Sequence, residues 1–378
     1  MIWIAFQMLT GDRAKYFGIL VGISFATLLI AQQSSIFCGL MLTASSQIYD
    51  AKDAPIWVMD PGMQFVDDIK PLSENELLRV RGVSGVAWAA RFYKGLGRAR
   101  FSDGKFQQMM ILGLDDAYMV GAPREIVVGS LDDLRQPDAV IMDERGYRYL
   151  WPGEPYILGR TFEMNDRRAV LVGICKASRT FQTFPIIYTR FSQALRFAPQ
   201  ERKALSFILA APKPGLDAKE LCERITKQTR LKALTREEFA WVTIWYYLRR
   251  TGIPINFGTT VLLGFFVGTA IAGQTFYLFT IENLRQFGAL KAMGLTNLRL
   301  IGMVLFQGIF VGTVGYGLGI GLAVGFGLLA ERSDRLTFFM PWQVLVGTAV
   351  AVLLIVVLSS IFSLRKVLVL EPAQVFRA

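Results

Sequence analysis

The chain of 378 residues contains no histidine and only three cysteines. The absence of histidine excludes Ser-His-Asp catalysis, histidine general bases and the commonest protein ligand of transition metals. Cys38 falls in an uncharged run near the start, whereas Cys175 and Cys222 lie in the middle of the chain. One possible bridge in a region of about two hundred residues is weak support for a disulfide framework, so the pairing of Cys175 with Cys222 stays open.

Hydrophobic residues make up 53% of the whole chain, and charged residues are absent from four long stretches of it. Each stretch is longer than the roughly 20 residues that a helix needs to cross a bilayer. The sequence therefore predicts four membrane spans, at 16–42, 251–281, 300–330 and 342–364. Because no span contains Asp, Glu, Lys or Arg, a proton- or ion-coupled carrier would lack its usual ionisable groups.

Basic residues beside the spans predict the orientation of the chain. Arg13 and Lys15 precede the first span, and Arg365 and Lys366 follow the fourth. Since short segments rich in Lys and Arg stay in the cytoplasm, both termini are expected there. The resulting map has an amphipathic cytoplasmic lead-in at 1–15, an extracytoplasmic domain at 43–250, a cytoplasmic segment at 282–299, an outer loop at 331–341 and a cytoplasmic tail at 365–378.

The segment 43–250 predicts a large α+β domain inserted between the first and second membrane helices. Short apolar runs bounded by Gly, Pro and polar residues are typical of strands, and Ser73 followed by Glu76 is typical of a capped helix. The stretch at about 116–200 is rich in Gly, Pro and short β-like runs. We expect it to form a separate lobe that interrupts the outer segments.

A stalk helix is predicted at 235–250, just before the second span. Thr235 and Glu238 have the spacing of a capping box, which begins a helix. Trp241 and Trp245 would lie near the outer membrane interface, where aromatic rings are enriched. The helix is therefore either a mechanical link between the outer domain and the membrane or a static interfacial anchor.

Glycines at a spacing of one helical turn predict where the membrane helices touch. Small residues four positions apart let two helix backbones approach closely. Such residues are found in the first span (Gly18, Gly22), the second span (Gly264, Gly268) and the third span (Gly308, Gly312, Gly317, Gly321, Gly325). These faces predict packing within the chain or across a dimer, and they do not indicate a substrate channel.

The short segment 282–299, ENLRQFGALKAMGLTNLR, lies between two of the uncharged runs. Apolar residues recur every three positions from Leu284 to Met293 and form a stripe on one side of a short helix. Gly294 is a suitable stop, because a residue without Cβ adopts the left-handed cap conformation at little cost. The helix is either gripped by another protein or lies as a connector at the membrane surface.

The pattern E-x-x-R-Q-F-G-x-L-K-A-M-G at 282–294, followed by an apolar span, resembles the coupling segment of MacB/FtsX-type permeases of ABC transporters. The opening GDRAKYFGILVGISFATLLIAQQ is most similar to the DevC branch of exporter permeases. The resemblance implies that this helix docks on a separate ATPase subunit through Glu282, Arg285, Phe287, Leu290, Lys291, Met293 and Gly294. Among these, Phe287 and Leu290 are expected to be the apolar anchors.

The hypothesis that follows is the permease subunit of an ABC exporter in a bacterial inner membrane. The sequence contains no G-x-x-x-x-G-K-[ST] loop, so ATP is expected to bind the partner subunit. We expect this chain itself to have no enzymatic activity and to hold no cofactor or metal. Four spans are few to enclose a pathway, so a homodimer is expected. The resemblance further implies a periplasmic adaptor and an outer-membrane channel as partners.

Two other classes of function remain open. One is an FtsX-like regulatory membrane protein that controls a periplasmic partner such as a cell-wall hydrolase, and the other is a receptor with a ligand-sensing outer domain. The net charge of +11 is not accompanied by an aromatic-interleaved basic stripe, so membrane lipid rather than nucleic acid is the expected contact.

Overall fold

The computed structural model describes residues 2–101, 104–198, 204–332 and 336–369. The chain divides into two compact units: a helical unit, Met1–Leu40 with Gly252–Ala378, and an α+β unit, Met41–Thr251. The helices are α1 (Ile2–Gly11), α2 (Arg13–Asp50), α3 (Glu74–Arg81), α4 (Glu144–Leu150), α5 (Phe191–Phe197), α6 (Ala218–Thr229), α7 (Arg236–Arg250), α8 (Ile253–Glu282), α9 (Leu284–Ala292), α10 (Asn297–Arg332) and α11 (Trp342–Val369). The strands are β1 (Ile56–Met59), β2 (Val86–Arg100), β3 (Phe106–Leu114), β4 (Glu125–Val128), β5 (Ala139–Asp143), β6 (Thr161–Met164), β7 (Arg167–Lys176), β8 (Ile186–Arg190), β9 (Phe207–Pro212) and β10 (Lys232–Thr235).

Four of the described helices, α2, α8, α10 and α11, are long and apolar enough to cross a membrane by length and composition. The α+β unit lies between the first and second of them in the chain. The predicted fold class, four membrane helices with a large α+β domain between helices one and two, is therefore confirmed. Helix α2 continues to Asp50, eight residues past the predicted end of the first span, so its last turns belong to the α+β unit.

The helical unit is held together by close contacts at small residues. A Cβ added at Gly268 on α8 would lie 2.3 Å from the Cβ of Ala26 on α2, and one at Gly22 would lie 2.6 Å from Ile271. On α10, a Cβ at Gly312 would lie 2.8 Å from Val356 of α11. In the same way Gly18, Gly264 and Gly308 face another helix. Six of the predicted packing glycines therefore lie at helix contacts within the chain.

The other three, Gly317, Gly321 and Gly325, face away from the described part of the chain, because a Cβ added at any of them meets nothing within 4 Å. Of the two predicted alternatives for these three glycines, packing within the chain is not seen, and contact across a dimer stays a prediction. Gly315 and Gly319 contact α2 instead. Two residues correspond to roughly 200° of rotation in an α-helix, so glycines two positions later lie on the opposite side of α10.

The α+β unit is built on one sheet. In the described residues its strand order is β10-β1-β9-β2-β3-β8-β5-β7-β4, and β6 pairs with β2 and β7. The lobe expected as separate at 116–200 contributes β4 to β8 to this sheet, because β8 pairs in parallel with β3 from Met110↔Ile186 to Leu114↔Arg190. Long-range strand pairing, which local composition does not encode, joins the two parts.

Both faces of the sheet are covered by helices. On one face α3, α5 and α6 bury Leu77, Phe191 and Leu221, and on the other the end of α2 and α7 bury Ile48 and Phe239. Alternate residues of a strand point to opposite faces, so a strand buried on both sides is apolar along most of its length, as β5 is up to its last residue, Asp143.

Cys175 and Cys222 are free thiols on opposite faces of this sheet. The sheet itself separates them, which answers the open question of their pairing in the negative for this structure. Burial raises the pKa of both thiols above its ordinary value. The two cysteines are therefore unreactive core residues.

The stalk helix predicted at 235–250 is α7, which starts after Thr235. The capping box is present: the Thr235 hydroxyl accepts from the Glu238 amide at 3.2 Å, and the Glu238 carboxylate accepts from the Thr235 amide at 3.1 Å. Trp241 and Trp245 are exposed, whereas Phe239 is buried on the sheet. The choice between link and anchor stays a hypothesis.

Candidate coupling site

The segment between the second and third membrane helices folds into one short helix, α9, with defined ends. Asn283 separates it from α8 and donates from Nδ2 to the Phe279 carbonyl at 2.8 Å. At the other end Gly294 has φ +92°, and the Leu295 amide donates to the Leu290 carbonyl at 3.1 Å. Thr296 then precedes α10, and its carbonyl accepts from Leu300 at 3.2 Å. Gly294 therefore ends the helix as predicted.

The apolar stripe of α9 is turned towards its own chain. Phe287 is fully buried and Leu290 is 8% exposed, and both belong to a cluster with Ala5 of α1 and with Leu300, Met303 and Val304 of α10. We call this cluster the α1–α9–α10 junction. The expectation that Phe287 and Leu290 are free to enter a partner's groove needs correction, since both side chains are occupied within the chain.

Helix α1 is part of this arrangement. Its Ala5 and Leu9 are buried, and Phe6 meets Phe310 of α10 edge to face at 5.2 Å. The Gln307 side chain, fully buried in α10, donates from Nε2 to the Ala5 carbonyl at 2.7 Å. A buried amide without a partner is costly, so this bond fixes α1 against α10.

Charged groups tie the start of α2 to the end of α8. The Lys15 ammonium lies 2.6 Å from Asp12 Oδ2 and also forms an ion pair with Glu282. The hydrogen bonds from Lys15 hold the pKa of the Asp12 carboxyl below its ordinary value. Glu282, which the resemblance assigned to ATPase contact, is therefore paired within the chain, while more than half of its side chain stays exposed.

The outward surface of the segment carries a different set of residues. Met293 is 72% exposed and Leu298 is 78% exposed, although both are large and apolar. In the same segment Arg285, Gln286 and Arg299 are exposed, and Lys291 is half-buried. Exposed apolar side chains rimmed by polar and basic groups are typical of a protein contact surface.

The site residues named from the sequence thus divide into two groups. Phe287 and Leu290 lie in the junction, whereas the other five, Glu282, Arg285, Lys291, Met293 and Gly294, are partly or fully exposed. Leu298 and Gln307 were not among the residues predicted from the sequence. A polar residue in an uncharged span was the available signal for Gln307, whereas Leu298, the second residue of α10, lies outside the apolar stripe that ends at Met293.

Two family models match the chain. One, described as the MacB-like periplasmic core domain, matches residues 17–228, which is more than half of the chain. The other, described as the C-terminal part of FtsX-like permeases, matches residues 258–372 and so includes α9 and the whole junction except α1.

Curated relatives of the chain are described as uncharacterized ABC transporter permeases. An uncharacterized ABC transporter permease of Methanocaldococcus jannaschii is 25% identical over 231 residues, which are 58% of this chain and 57% of that protein. One from Mycobacterium tuberculosis is 23% identical over 222 residues, 58% of either chain. The matched part therefore spans little more than half the length of these relatives.

Solved structures resemble the α+β unit only distantly. The extracellular domain of the noncanonic ABC-type transporter YknZ from Gram-positive bacteria matches 48% of this chain and 98% of its own, with 13% identity and a TM-score of 0.35. The periplasmic region of MacB from Actinobacillus actinomycetemcomitans matches 52% of this chain and 96% of its own, with 15% identity and a TM-score of 0.39. Scores this low support no inference about function.

Proposed function

Since the chain belongs to the MacB/FtsX-type family of ABC transporter permeases, we propose that it is the membrane subunit of an exporter driven by a separate ATPase subunit. The resemblance predicted from 282–294 is confirmed by this membership.

The outward surface of α9 and the start of α10 is the proposed ATPase contact. Met293 and Leu298 supply the apolar centre, and Arg285 and Arg299 supply a basic rim. Large apolar side chains in a desolvated centre carry most of the energy of a protein contact, whereas rim charges contribute little. The single observation that carries this proposal is the exposure of Met293 and Leu298 beside a buried Phe287.

Phe287 and Leu290 have a different proposed role, which is to make α9 rigid. A push on α9 is transmitted through the α1–α9–α10 junction, because densely packed side chains move together. The Gln307 bond to Ala5 ties α1 to α10 within the junction, and the Lys15 pair with Glu282 links α2 to the end of α8, next to α9. Force applied at α9 therefore reaches several helices of the unit at once.

A homodimer is the proposed assembly, and α10 supplies a candidate contact face. Gly317, Gly321 and Gly325 lie one turn apart and contact nothing within 4 Å among the described residues. In lipid, glycine faces gain close packing and no hydrophobic energy, so they favour helix against helix over helix against lipid. Placement in the inner membrane, cytoplasmic termini, a periplasmic adaptor and an outer-membrane channel complete the proposal.

Co-purification tests the ATPase contact. The full chain, carrying an affinity tag, should retain an ABC ATPase identifiable by mass spectrometry, and Met293→Asp with Leu298→Asp should reduce its recovery by more than about tenfold, since hot-spot loss costs about 2 kcal/mol or more. Tyr118→Asp is the matched control, because Tyr118 is an equally exposed apolar side chain (81%) in the α+β unit.

Recovery of the ATPase by the double variant at the level of the wild type would refute the proposed contact. Thermal melting of each variant is measured in parallel, and an unchanged melting temperature shows that lost recovery reflects lost contact rather than unfolding. Failure of the wild type to retain any ABC ATPase would refute the proposed function itself.

A further inference from the structure

A cavity of about 370 Å³ lies inside the α+β unit, where strands β2 and β9 separate. The two strands pair as far as Phe92↔Phe207. Beyond that point the Ser206 side chain takes the place of the backbone hydrogen bonds between the two strands. Its hydroxyl accepts from the Lys94 amide and donates to the Lys94 carbonyl, both at 3.0 Å. The backbone is thereby satisfied while the strands diverge, which leaves space between them.

A buried ion pair forms the polar wall of this cavity. The Lys94 side chain is 2% exposed, and its Nζ lies 2.5 Å from Oδ1 of Asp67, whose side chain is 23% exposed. Within the described residues Nζ has no hydrogen-bond acceptor besides this carboxylate. An ammonium group carries three N–H donors, so most of its donor capacity is directed at the cavity. Lysine is almost never buried this completely, because its desolvation is costly.

Asp67 is held in place by the segment between β1 and α3. The Met63 carbonyl accepts from Lys232 Nζ at 3.0 Å, and the ring of Phe65 stacks on Tyr246 of α7 at 4.1 Å. Burial lowers the pKa of the Lys94 ammonium from its ordinary value, while Asp67 opposes that shift. The pair is therefore a preformed feature of the unit, with Lys94 held by strand β2 and Asp67 held by the loop after β1.

Apart from the polar side chains of Ser206 and Gln182, the wall beside the pair is mostly apolar, and it limits which ligand fits. Leu96, Met110 and Leu205 line the cavity beside the pair. The pair has no net charge, so a charged ligand would leave one buried charge uncompensated, which costs several kcal/mol in proteins. An uncharged group that both accepts and donates satisfies Lys94 and Asp67 together at no such cost. Cavities of this size hold small molecules and exclude large ones.

We propose that this cavity binds an uncharged small molecule with an apolar body and one carboxamide or hydroxyl group, which accepts from Lys94 and donates to Asp67. The site goes beyond the function proposed above and requires no ATPase partner. Its polar contacts come from two different segments, β2 and the loop after β1, so ligand binding joins them.

Fluorine NMR on the full chain in lipid nanodiscs tests this site with three probes. The probes share a fluorophenyl and alkyl body and differ only in the end group: a butanamide, the matching butanoate and the matching butylammonium. Broadening of each probe's fluorine signal is measured as protein in nanodiscs is added, and the broadening caused by empty nanodiscs is subtracted. The amide should bind at least about tenfold more tightly than either charged probe, since a hydrogen bond to a charged group and an avoided buried charge both favour it.

Two variants and a control locate the binding. Lys94→Met with Asp67→Leu replaces the pair by apolar residues, a change that buried pairs often tolerate, and it should lower amide affinity by at least about tenfold. Ala204→Trp blocks the cavity without touching the pair and should abolish binding of the amide. Lys176→Met removes an exposed paired lysine of the same unit and should change nothing.

Amide binding that equals that of the charged probes, or that is absent in the wild type, would overturn the proposal. Full amide affinity in Ala204→Trp would overturn it as well, and this variant decides the matter if the double variant does not fold. Neither result bears on the ATPase contact, which lies in the other unit.

Discussion

Substitution of two neighbouring glycines on α10 separates packing inside the bundle from contact outside it. Gly319 faces α2, where an added Cβ would lie 2.4 Å from Thr27 Cβ and 2.6 Å from the Ser24 carbonyl oxygen. Gly321, two residues later, has nothing within 4 Å. Alanine at position 319 therefore forces two helices apart, whereas alanine at position 321 does not.

The difference in stability between the two variants measures the free-energy cost of crowding α10 against α2. Both gain the same helix propensity, because each replaces glycine by alanine in a helix interior, which is worth about 1 kcal/mol. Only Gly319→Ala has to displace backbone, and overpacking of this kind typically costs about 1–3 kcal/mol. Gly319→Ala should therefore be less stable than Gly321→Ala by about 1–3 kcal/mol, which corresponds to roughly 2–4 °C in melting temperature per kcal/mol.

Thermal melting in nanodiscs, followed by intrinsic tryptophan fluorescence and by reactivity of the half-buried Cys38 in α2, measures this difference. Equal melting temperatures for the two alanine variants would refute the assignment of faces on α10. Gly321→Leu extends the test to the dimer: it should leave the melting temperature of the monomer unchanged and weaken self-association, seen by mass photometry. A Gly321→Leu protein that dimerises like the wild type would exclude that face as the dimer contact.

Two further predictions concern the junction and the α+β unit. Phe287→Ala should destabilise the helical unit by about 3–5 kcal/mol, because it empties a fully buried site. Met293→Ala, at an exposed site, should cost less than about 0.5 kcal/mol. Thermal melting compares the two variants, and equal melting temperatures would contradict the burial of Phe287 in the junction. Burial raises the pKa of Asp143 from 3.8 to about 6, so the folded state holds a proton that the unfolded state releases, and stability from this group falls as pH rises from about 4 to about 6. The full loss of stability is on the order of 3 kcal/mol. Urea unfolding at pH 4.5 and pH 7 should show a smaller pH dependence of stability for Asp143→Asn than for the wild type. An unchanged pH dependence would contradict the raised pKa of Asp143.

Local patterns in the sequence were sufficient for a large part of this structure. The four apolar helices follow from uncharged runs, since a helix satisfies its own backbone in lipid and needs only length and composition. The capping box at Thr235 and the helix stop at Gly294 follow from chemistry within one turn. The family resemblance at 282–294 was recognised for the same reason, because its pattern is contiguous.

What the sequence left undetermined depends on residues far apart in the chain. Every-third-residue spacing identified the stripe of α9 but not its partner, and the tertiary structure buries Phe287 against α1 and α10 instead of presenting it. Glycine spacing likewise identified helix faces on α10 without saying which one meets α2.

The same limit applies to the α+β unit. The pairing of β3 with β8 merges an expected lobe into one sheet, and the separation of β2 from β9 encloses Lys94, which the sequence presents as one lysine among many. Periodicity within a segment determines which side chains share a face, because the backbone geometry is local. What covers that face is set by long-range packing, which only the folded chain decides.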